Sequence, residues 1–318
     1  MNKHLINPEV TVIIPAYNRE SLLPRTVNSV LSQDFSDFEL LIVDDGSEDL
    51  TADVAEQFAS IDPRVRVIRH CRNRGEAAAR NTGLENSRGR FIAFLDSDDC
   101  WLPGKLTRQW KLLSKAEAEF VAVVTSQIVV AEDGSETREN SWHFRHPVNQ
   151  KNILTRGCAL GLGGNILMRR QPALDAGKFD TSLKLYVDVD WLCRFLENGK
   201  VLTLDEPYTV YNKAELRPGK AVKDATDDFI RKNSLIISKY SFLTRCLIRA
   251  NFNRSISLSY RMQKKTWEST KYSLLAIVNN PFVPIGNYVE IIDTIFGSDI
   301  VNKIRLVKHK YHKQFKKR

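Results

Sequence analysis

Three short acidic clusters carry most of the chemistry that this sequence offers. Asp96-Ser97-Asp98-Asp99 sets three carboxylates into four residues, directly after the apolar run Phe91–Leu95. Charges packed that closely repel one another strongly unless a cation or solvent intervenes. On an extended backbone Asp96 and Asp98 point to the same side. Such a pair suits Mg2+ or Mn2+, hard ions that take one or two carboxylates together with phosphate oxygens. The competing reading is a solvated acidic loop, with Asp99 helping to start the next helix. Asp44-Asp45-Gly46-Ser47 follows the apolar run Phe38–Val43. It reads either as a turn before a helix or as a carboxylate placed to accept a base N–H or a ribose hydroxyl. Asp188-Val189-Asp190-Trp191 opens an apolar helical segment. Acids there complement the helix dipole, and one of them is also able to take a proton from a hydroxyl nucleophile. Asp190 lies roughly 200° around a 3.6-residue helix from Asp188.

These clusters need a scaffold, and the chain supplies a rhythm for one. Apolar runs at Val10–Pro15, Phe38–Val43, Val65–Ile68 and Phe91–Leu95 read as strands. Helical patterns alternate with them: Leu23, Val27, Val30 and Leu31 (with Pro24 in the first turn), then residues 53–60 and 76–87. A further helix follows Pro103, with Leu106, Trp110 and Leu113 on one stripe. Near-continuous apolar strands alternating with helices predict a parallel α/β sheet covered on both faces. In open sheets of this kind, ligands sit outside the carboxyl ends of the strands, where the first two acidic clusters fall. Strand one ends in Pro15-Ala16-Tyr17-Asn18 without a glycine, which excludes a Walker A loop and a dinucleotide G-x-G-x-x-G there. Gly161-Leu162-Gly163-Gly164 lies far downstream and predicts a tight turn or a close backbone approach. Val121–Val124 and Ile128–Val130 predict two more strands, with a turn at Asp133-Gly134. Past residue 140 the rhythm breaks, and from about Ala221 the pattern turns helical.

Composition narrows the class. With 318 residues, 42% apolar and 27% charged, the chain is an ordinary globular one, which excludes disorder and a disulfide-stapled mini-protein. Its five cysteines form no C-x-x-C pair, so neither a disulfide framework nor a structural zinc site is favoured. Residues 300–318 hold eight Lys and Arg and no acid, so nearly all of the formal +9 sits in a tail. That weakens a nucleic-acid reading of the whole chain. Ile300, Ile304, Val307, Tyr311 and Phe315 draw an apolar stripe along the same tail. A basic amphipathic helix of this kind either lies on anionic lipid or packs on the protein body. Met1–Pro8 lacks the apolar stretch of a signal peptide, and Tyr272–Val289 is broken by Pro281, Pro284 and Gly286. A cytoplasmic protein, free or peripheral on the inner face of the membrane, is the expectation. The pairs His143/His146 and His309/His312 lack acidic partner spacing and read as ordinary surface or core histidines.

Five ordered stretches resemble family 2 glycosyltransferases of the GT-A type. They are VTVIIPAYNR (Val10–Arg19), LLIVDDGSED (Leu40–Asp49), NRGEAAARNTG (Asn73–Gly83), FIAFLDSDDCWLPGKL (Phe91–Leu106) and FDTSLKLYVDVDWLCRF (Phe179–Phe195). The resemblance spans about residues 8–210 and implies an α/β fold of the GT-A nucleotide-diphospho-sugar transferase type. That fold has a mostly parallel central sheet flanked by helices. The implied catalytic domain is residues 1–215, with a nucleotide-sugar half at about 8–130 and an acceptor half at about 131–215. A helical C-terminal region, 216–318, ends in the basic tail. By resemblance, Asp45 is the carboxylate that hydrogen-bonds the uracil ring, and Pro15 and Tyr17 form the edge packed on the base. Asn73 and Arg74 stand where the family contacts base and diphosphate. Asp96-Ser97-Asp98 resembles the D-x-D motif, with Asp96 facing ribose or sugar, Asp98 ligating the metal, and Asp96 available as a second ligand. Asp188 resembles the catalytic base, although Val187 stands where many members carry Glu.

The resemblance implies a metal-dependent, inverting glycosyltransferase. It would move a sugar from a nucleotide-sugar, expected to be a UDP-sugar, to a hydroxyl acceptor in bacterial surface polysaccharide or glycan assembly. Mn2+ or Mg2+ would assist the diphosphate leaving group, and a single base fits inversion, because retention by double displacement needs a second nucleophile. The implied partners are the donor, a glycan or lipid-linked glycan acceptor and an anionic membrane surface met by the tail, with no nucleic acid. Trp101, Trp110, Trp142 and Trp191 are candidates for stacking on sugar faces, Trp142 the best placed and Trp110 the most core-like. Two rival readings remain: a catalytically inactive GT-A-fold binding module, and a nucleic-acid-binding protein recruited through the tail.

Overall fold

The computed structural model describes residues 7–130, 135–139, 148–156, 162–197, 199–212 and 217–280. Trp142, the four histidines just named, the Asp133-Gly134 turn, Gly161, the stretch beyond Asn280 and the tail lie outside them. The chain divides into two compact units, Met1–Ile153 with Cys158–Ala214, and Leu154–Gly157 with Glu215–Arg318.

In the first unit the elements run β1 (Val10–Ala16), α1 (Leu23–Leu31), β2 (Phe38–Asp44), α2 (Thr51–Ile61), β3 (Val65–Arg69), α3 (Glu76–Asn86) and β4 (Phe91–Phe94). There follow β5 (Cys100–Trp101), α4 (Lys105–Lys115), β6 (Phe120–Val130), β7 (Glu136–Glu139), α5 (Gln150–Arg156, whose residues from Leu154 on belong to the second unit), β8 (Ile166–Arg169), α6 (Arg170–Asp175), α7 (Val187–Phe195) and β9 (Lys200–Asn212). The sheet order is β3-β2-β1-β4-β8-β6-β9-β5, with β7 paired to β6. β3, β2, β1 and β4 are parallel, and Ile13 sits between Leu41 and Phe94 in register. Every residue of β1, β2 and β4 is buried, as expected for strands covered on both faces. α1 and α4 cover one face with Leu23, Val27, Val30, Leu106 and Leu113, and Pro24 occupies the first turn of α1.

Beyond β4 the sheet is mixed. β8 runs antiparallel to both β4 and β6, β6 pairs parallel with β9, and β5 pairs antiparallel with β9. The two strands expected at Val121–Val124 and Ile128–Val130 are one, β6. The polar residues between them do not end the strand, because they are satisfied inside the sheet. Thr125 donates its backbone N–H to the Asn165 carbonyl at 3.0 Å, and the Ser126 hydroxyl reaches Asp205 Oδ1 at 3.4 Å. The ladder to β9 shifts register at this point instead, which is how a bulge re-aims side chains without stopping a strand.

The second unit is helical: α8 (Gly219–Lys232), α9 (Ser234–Ser238), α10 (Phe242–Met262) and α11 (Thr266–Asn279). α10 and α11 pack through small hydroxyls, with Ser257 Oγ at 2.7 Å from Ser273 Oγ and bonded to the Ser269 carbonyl at 2.9 Å. Among the described residues no helix is long and apolar enough to cross a membrane.

Candidate active site

The Asp44-Asp45-Gly46-Ser47 cluster ends β2, and the protein answers most of its carboxylate oxygens, although the buried Asp44 Oδ2 has no hydrogen-bond partner among the described residues. Asp45 is buried; its carboxylate accepts the backbone N–H groups of Arg74 (3.1 Å) and Gly75 (2.7 Å) and lies 2.6 Å from His70 Nδ1. Asp44 accepts Ser47 N–H at 3.3 Å and faces Arg69 Nε at 3.3 Å. Gly46 has φ +72°, and a Cβ there would fall 2.4 Å from the Arg72 carbonyl carbon, so the turn needs glycine. Asn18, in the left-handed region at the end of β1, clasps this loop: its N–H donates to Ser47 Oγ and its Oδ1 accepts from Glu48 N–H, both at 3.0 Å. Pro15 is buried and Tyr17 half-buried on the same rim, while the side chains of Asn73 and Arg74 are exposed. A cavity of about 330 Å³ opens beside them, lined by Gly46, Ser47, Arg69, His70 and Cys71.

The second cluster ends β4 and is not extended. Asp99 N–H bonds back to the Asp96 carbonyl at 3.0 Å, closing a turn, so strand alternation no longer sets where Asp96 and Asp98 point. Thr26 Oγ1 pins this turn by donating to the carbonyls of Ser97 (3.0 Å) and Asp99 (2.8 Å), and Ser97 itself is buried. Gly163 backs the turn: its carbonyl accepts Asp96 N–H at 2.7 Å, and a Cβ on it would sit 1.9 Å from Asp96 Oδ2. This is the close backbone approach expected of the glycine run. The neighbouring Gly164 carbonyl is held by Trp101 Nε1 (2.8 Å) and Thr209 Oγ1 (2.9 Å).

Three arginines meet this turn: Arg80 at Asp96, Arg19 at Asp98, and Arg25, which donates to the Asp98 carbonyl at 2.8 Å. Asp98 is 40% exposed and has one ion-pair partner, Arg19, at 3.7 Å. Burial and the charge of Asp96 push the Asp98 carboxyl up, against the pull of Arg19 and Arg25. Asp99 accepts Asn212 N–H at 3.0 Å but is buried, and its carboxyl is pushed up to about 8, by burial first and Asp96 second.

Arg80 is the residue that the sequence reading missed. It is buried on α3, donates to Asp96 Oδ1 at 2.9 Å and also pairs with Glu76. Its guanidinium lies over the Phe94 and Phe179 rings at about 6 Å. Burial opposes its charge, but Glu76, Asp96 and Asp188 together hold it above the ordinary arginine range. Arg80 Nε and Arg19 Nε are buried without an acceptor among the described residues. Asp188, in the first turn of α7, is half-buried. Burial raises its carboxyl, Arg80 and the Val189 N–H (2.9 Å) pull it back, and Asp96 adds to the rise. Asn81, next to Arg80, exchanges hydrogen bonds with the Phe179 backbone at 2.7 and 2.9 Å and so anchors the segment leading to α7. Two neighbours on α3 thus join the second and third acidic clusters.

Asp190, turned away from Asp188, and Trp110, core-like, stand as the sequence leads one to expect, whereas Trp101 and Trp191 do not serve as sugar platforms. Asp190 is buried and paired with Arg194 at 3.1 Å, which turns it inward. Trp191 is fully buried between Phe179 and Phe195, at 4.8 and 5.1 Å between ring centroids, and Trp101 is buried with its indole N–H committed to Gly164. Trp110 packs on Phe35 and donates to Glu9 at 2.8 Å. These three are structural rather than sugar platforms. His70, for which the sequence carries no spacing signal, holds Asp45.

Among the described residues no three His, Cys, Asp or Glu side chains converge into a metal cage. Asp98, 40% exposed, with Asp96 in the same turn, fits the lesser demand of an ion that takes its remaining ligands from water and phosphate.

A model described as glycosyl transferase family 2 matches residues 11–175. TuaG of Bacillus subtilis (strain 168), assigned to teichuronic acid biosynthesis, is 41% identical over 128 residues, 40% of this chain and 50% of its own. WfgD of Escherichia coli, a UDP-Glc:alpha-D-GlcNAc-diphosphoundecaprenol beta-1,3-glucosyltransferase, is 40% identical over 112 residues, 35% of this chain and 44% of its own. The match thus spans about half the length of these curated relatives. Among solved structures, S. aureus TarS 1-349 in complex with UDP-GlcNAc superposes with a TM-score of 0.57 at 18% identity, covering 91% of this chain and 92% of that one. At that identity the likeness speaks for the fold.

Proposed function

The chain belongs to glycosyl transferase family 2 and has a GT-A-type fold, and from that premise we propose an inverting transfer of sugar from a UDP-sugar to a hydroxyl acceptor. The observation that carries this reading is the buried Arg80 shared by Asp96 and Asp188 at the end of β4, with Asp98 in the same turn as Asp96. Asp188 is the base. Its burial raises proton affinity, while Arg80 keeps the carboxylate form accessible. As the acceptor oxygen bonds to the anomeric carbon and the bond to the UDP oxygen breaks, the hydroxyl proton passes to Asp188. Arg80 fixes Asp96 and balances the charge between the two carboxylates. Asp98, with Asp96, would hold Mn2+ or Mg2+, which when bound offsets the charge developing on the diphosphate.

Pro15, Tyr17, Asn73 and Arg74 frame the nucleotide, with Asp45 holding the Arg74-Gly75 turn against the base site and Ser97, its carbonyl held by Thr26, lying buried within the D-x-D turn. The names of the relatives support a surface-polysaccharide acceptor carried on lipid, and the tail 300–318 would meet the membrane that holds it. A panel of nucleotide-sugars with Mn2+, offered with lipid-linked glycans and read by mass spectrometry, tests this. Transfer of one sugar with an inverted linkage is expected. Donor binding with no transfer to any acceptor would instead favour a binding module.

A further inference from the structure

The second unit carries its charge unevenly. Residues 229–267 contain nine Lys and Arg and no Asp or Glu. The acids just before them are answered locally: Asp227 pairs with Lys223, and Asp228 with Arg231. Within this acid-free stretch, α9 and the start of α10 meet at a cleft of about 310 Å³ walled by Ile230, Ile237, Phe242 and Ile248. Arg245 and Arg249, one and two helical turns beyond Phe242, line the same cleft and make no ion pair among the described residues. At the same corner three large apolar side chains stand in solvent: Leu235 is 79% exposed, Phe242 75% and Leu243 59%.

Exposed apolar tips beside unpaired arginines match a bilayer interface, where apolar side chains enter the acyl boundary and cations meet phosphate. A nucleic acid would answer the charge but leave Leu235 and Leu243 without a partner. We propose that the α9–α10 corner, residues 234–249, is a docking surface for an anionic phospholipid bilayer. It is distinct from the tail 300–318 and independent of the transfer reaction.

The test uses the full chain and vesicles of phosphatidylcholine, with or without an equal part of phosphatidylglycerol. Hydrogen–deuterium exchange of the unaltered protein should show protection of peptides covering 234–249 only when phosphatidylglycerol is present. In co-sedimentation, Arg245→Glu with Arg249→Glu, and separately Phe242→Ser with Leu243→Ser, should each weaken binding by at least ~10-fold. Both pairs are exposed, and the exchange result needs no variant, so a folding defect does not blunt the test. Unchanged exchange at 234–249, with protection confined to residues 300–318, overturns the proposal. So does equal binding to neutral vesicles, or tighter binding to a single-stranded RNA oligomer than to anionic lipid.

Discussion

At the end of β2, Asp45 receives two backbone N–H groups and faces His70 at 2.6 Å. At the end of β4, Asp98 has Arg19 at 3.7 Å, and both it and Asp99 hold their protons more tightly than ordinary carboxylates. The two clusters look alike in sequence, short acidic turns after buried parallel strands. The difference lies in who supplies the compensation. The first is answered mainly by backbone N–H groups and His70 and shapes a loop; the second leaves Asp98 40% exposed with Arg19 at 3.7 Å as its ion-pair partner, and on the proposed reading it takes a further cation from outside. Arg80 marks the boundary, because it satisfies Asp96 while leaving Asp98 open.

Substitutions on the two sides should therefore fail differently. Asp188→Asn removes the proposed base and should lower turnover by at least ~10²-fold with donor affinity kept; steady-state rates at saturating donor check it, and an intact rate would remove Asp188 from the chemistry. Arg80→Met leaves Glu76, Asp96 and Asp188 without their shared cation. The carboxylates left behind are partly exposed, Glu76 58% and Asp96 31%, so denaturant midpoints should fall modestly. In folded protein the acidic limb of the pH–rate profile should move to higher pH, because Arg80 is what pulls the Asp188 carboxyl down. Asp45→Asn should cost about 1–3 kcal/mol and weaken UDP binding, with turnover at saturating donor largely kept.

A smaller effect separates the clusters by pH. The Asp99 carboxyl keeps its proton up to about pH 8 in the folded protein, and an unfolded chain releases it near the ordinary value of 3.8. Between those values the folded state binds more protons, so stability of the metal-free protein should fall as pH rises. Thermal unfolding from pH 4 to 8 tests this. Asp99→Asn should flatten the slope, and an unchanged slope would return the cause to other groups.

The scaffold was legible because buried strands must be apolar and their ends must carry whatever reaches solvent. Pro15, Asp45 and Asp98 stood out for that reason, and Asp188, in the first turn of α7, through the family resemblance. Arg80, Asn81 and His70 did not, since their partners Asp96, Phe179 and Asp45 lie elsewhere in the chain and no short spacing announces them. The extended pair at Asp96 and Asp98 was misjudged because the turn depends on Thr26 and Gly163 closing over it. Trp101 and Trp191 were open to a sugar-stacking reading because an indole suits a core as well as a ligand face. Only burial separates the two.

The central claim is that the β4 end is built to receive a divalent cation through Asp98. Calorimetric titration of UDP into the full chain, with Mn2+ and then with excess chelator, tests it most directly when repeated on Asp98→Ala. Mn2+-dependent binding that is lost in Asp98→Ala, with the fold intact by circular dichroism, is the expected result. Equal UDP affinity in chelator, or in Asp98→Ala with Mn2+ present, would contradict it.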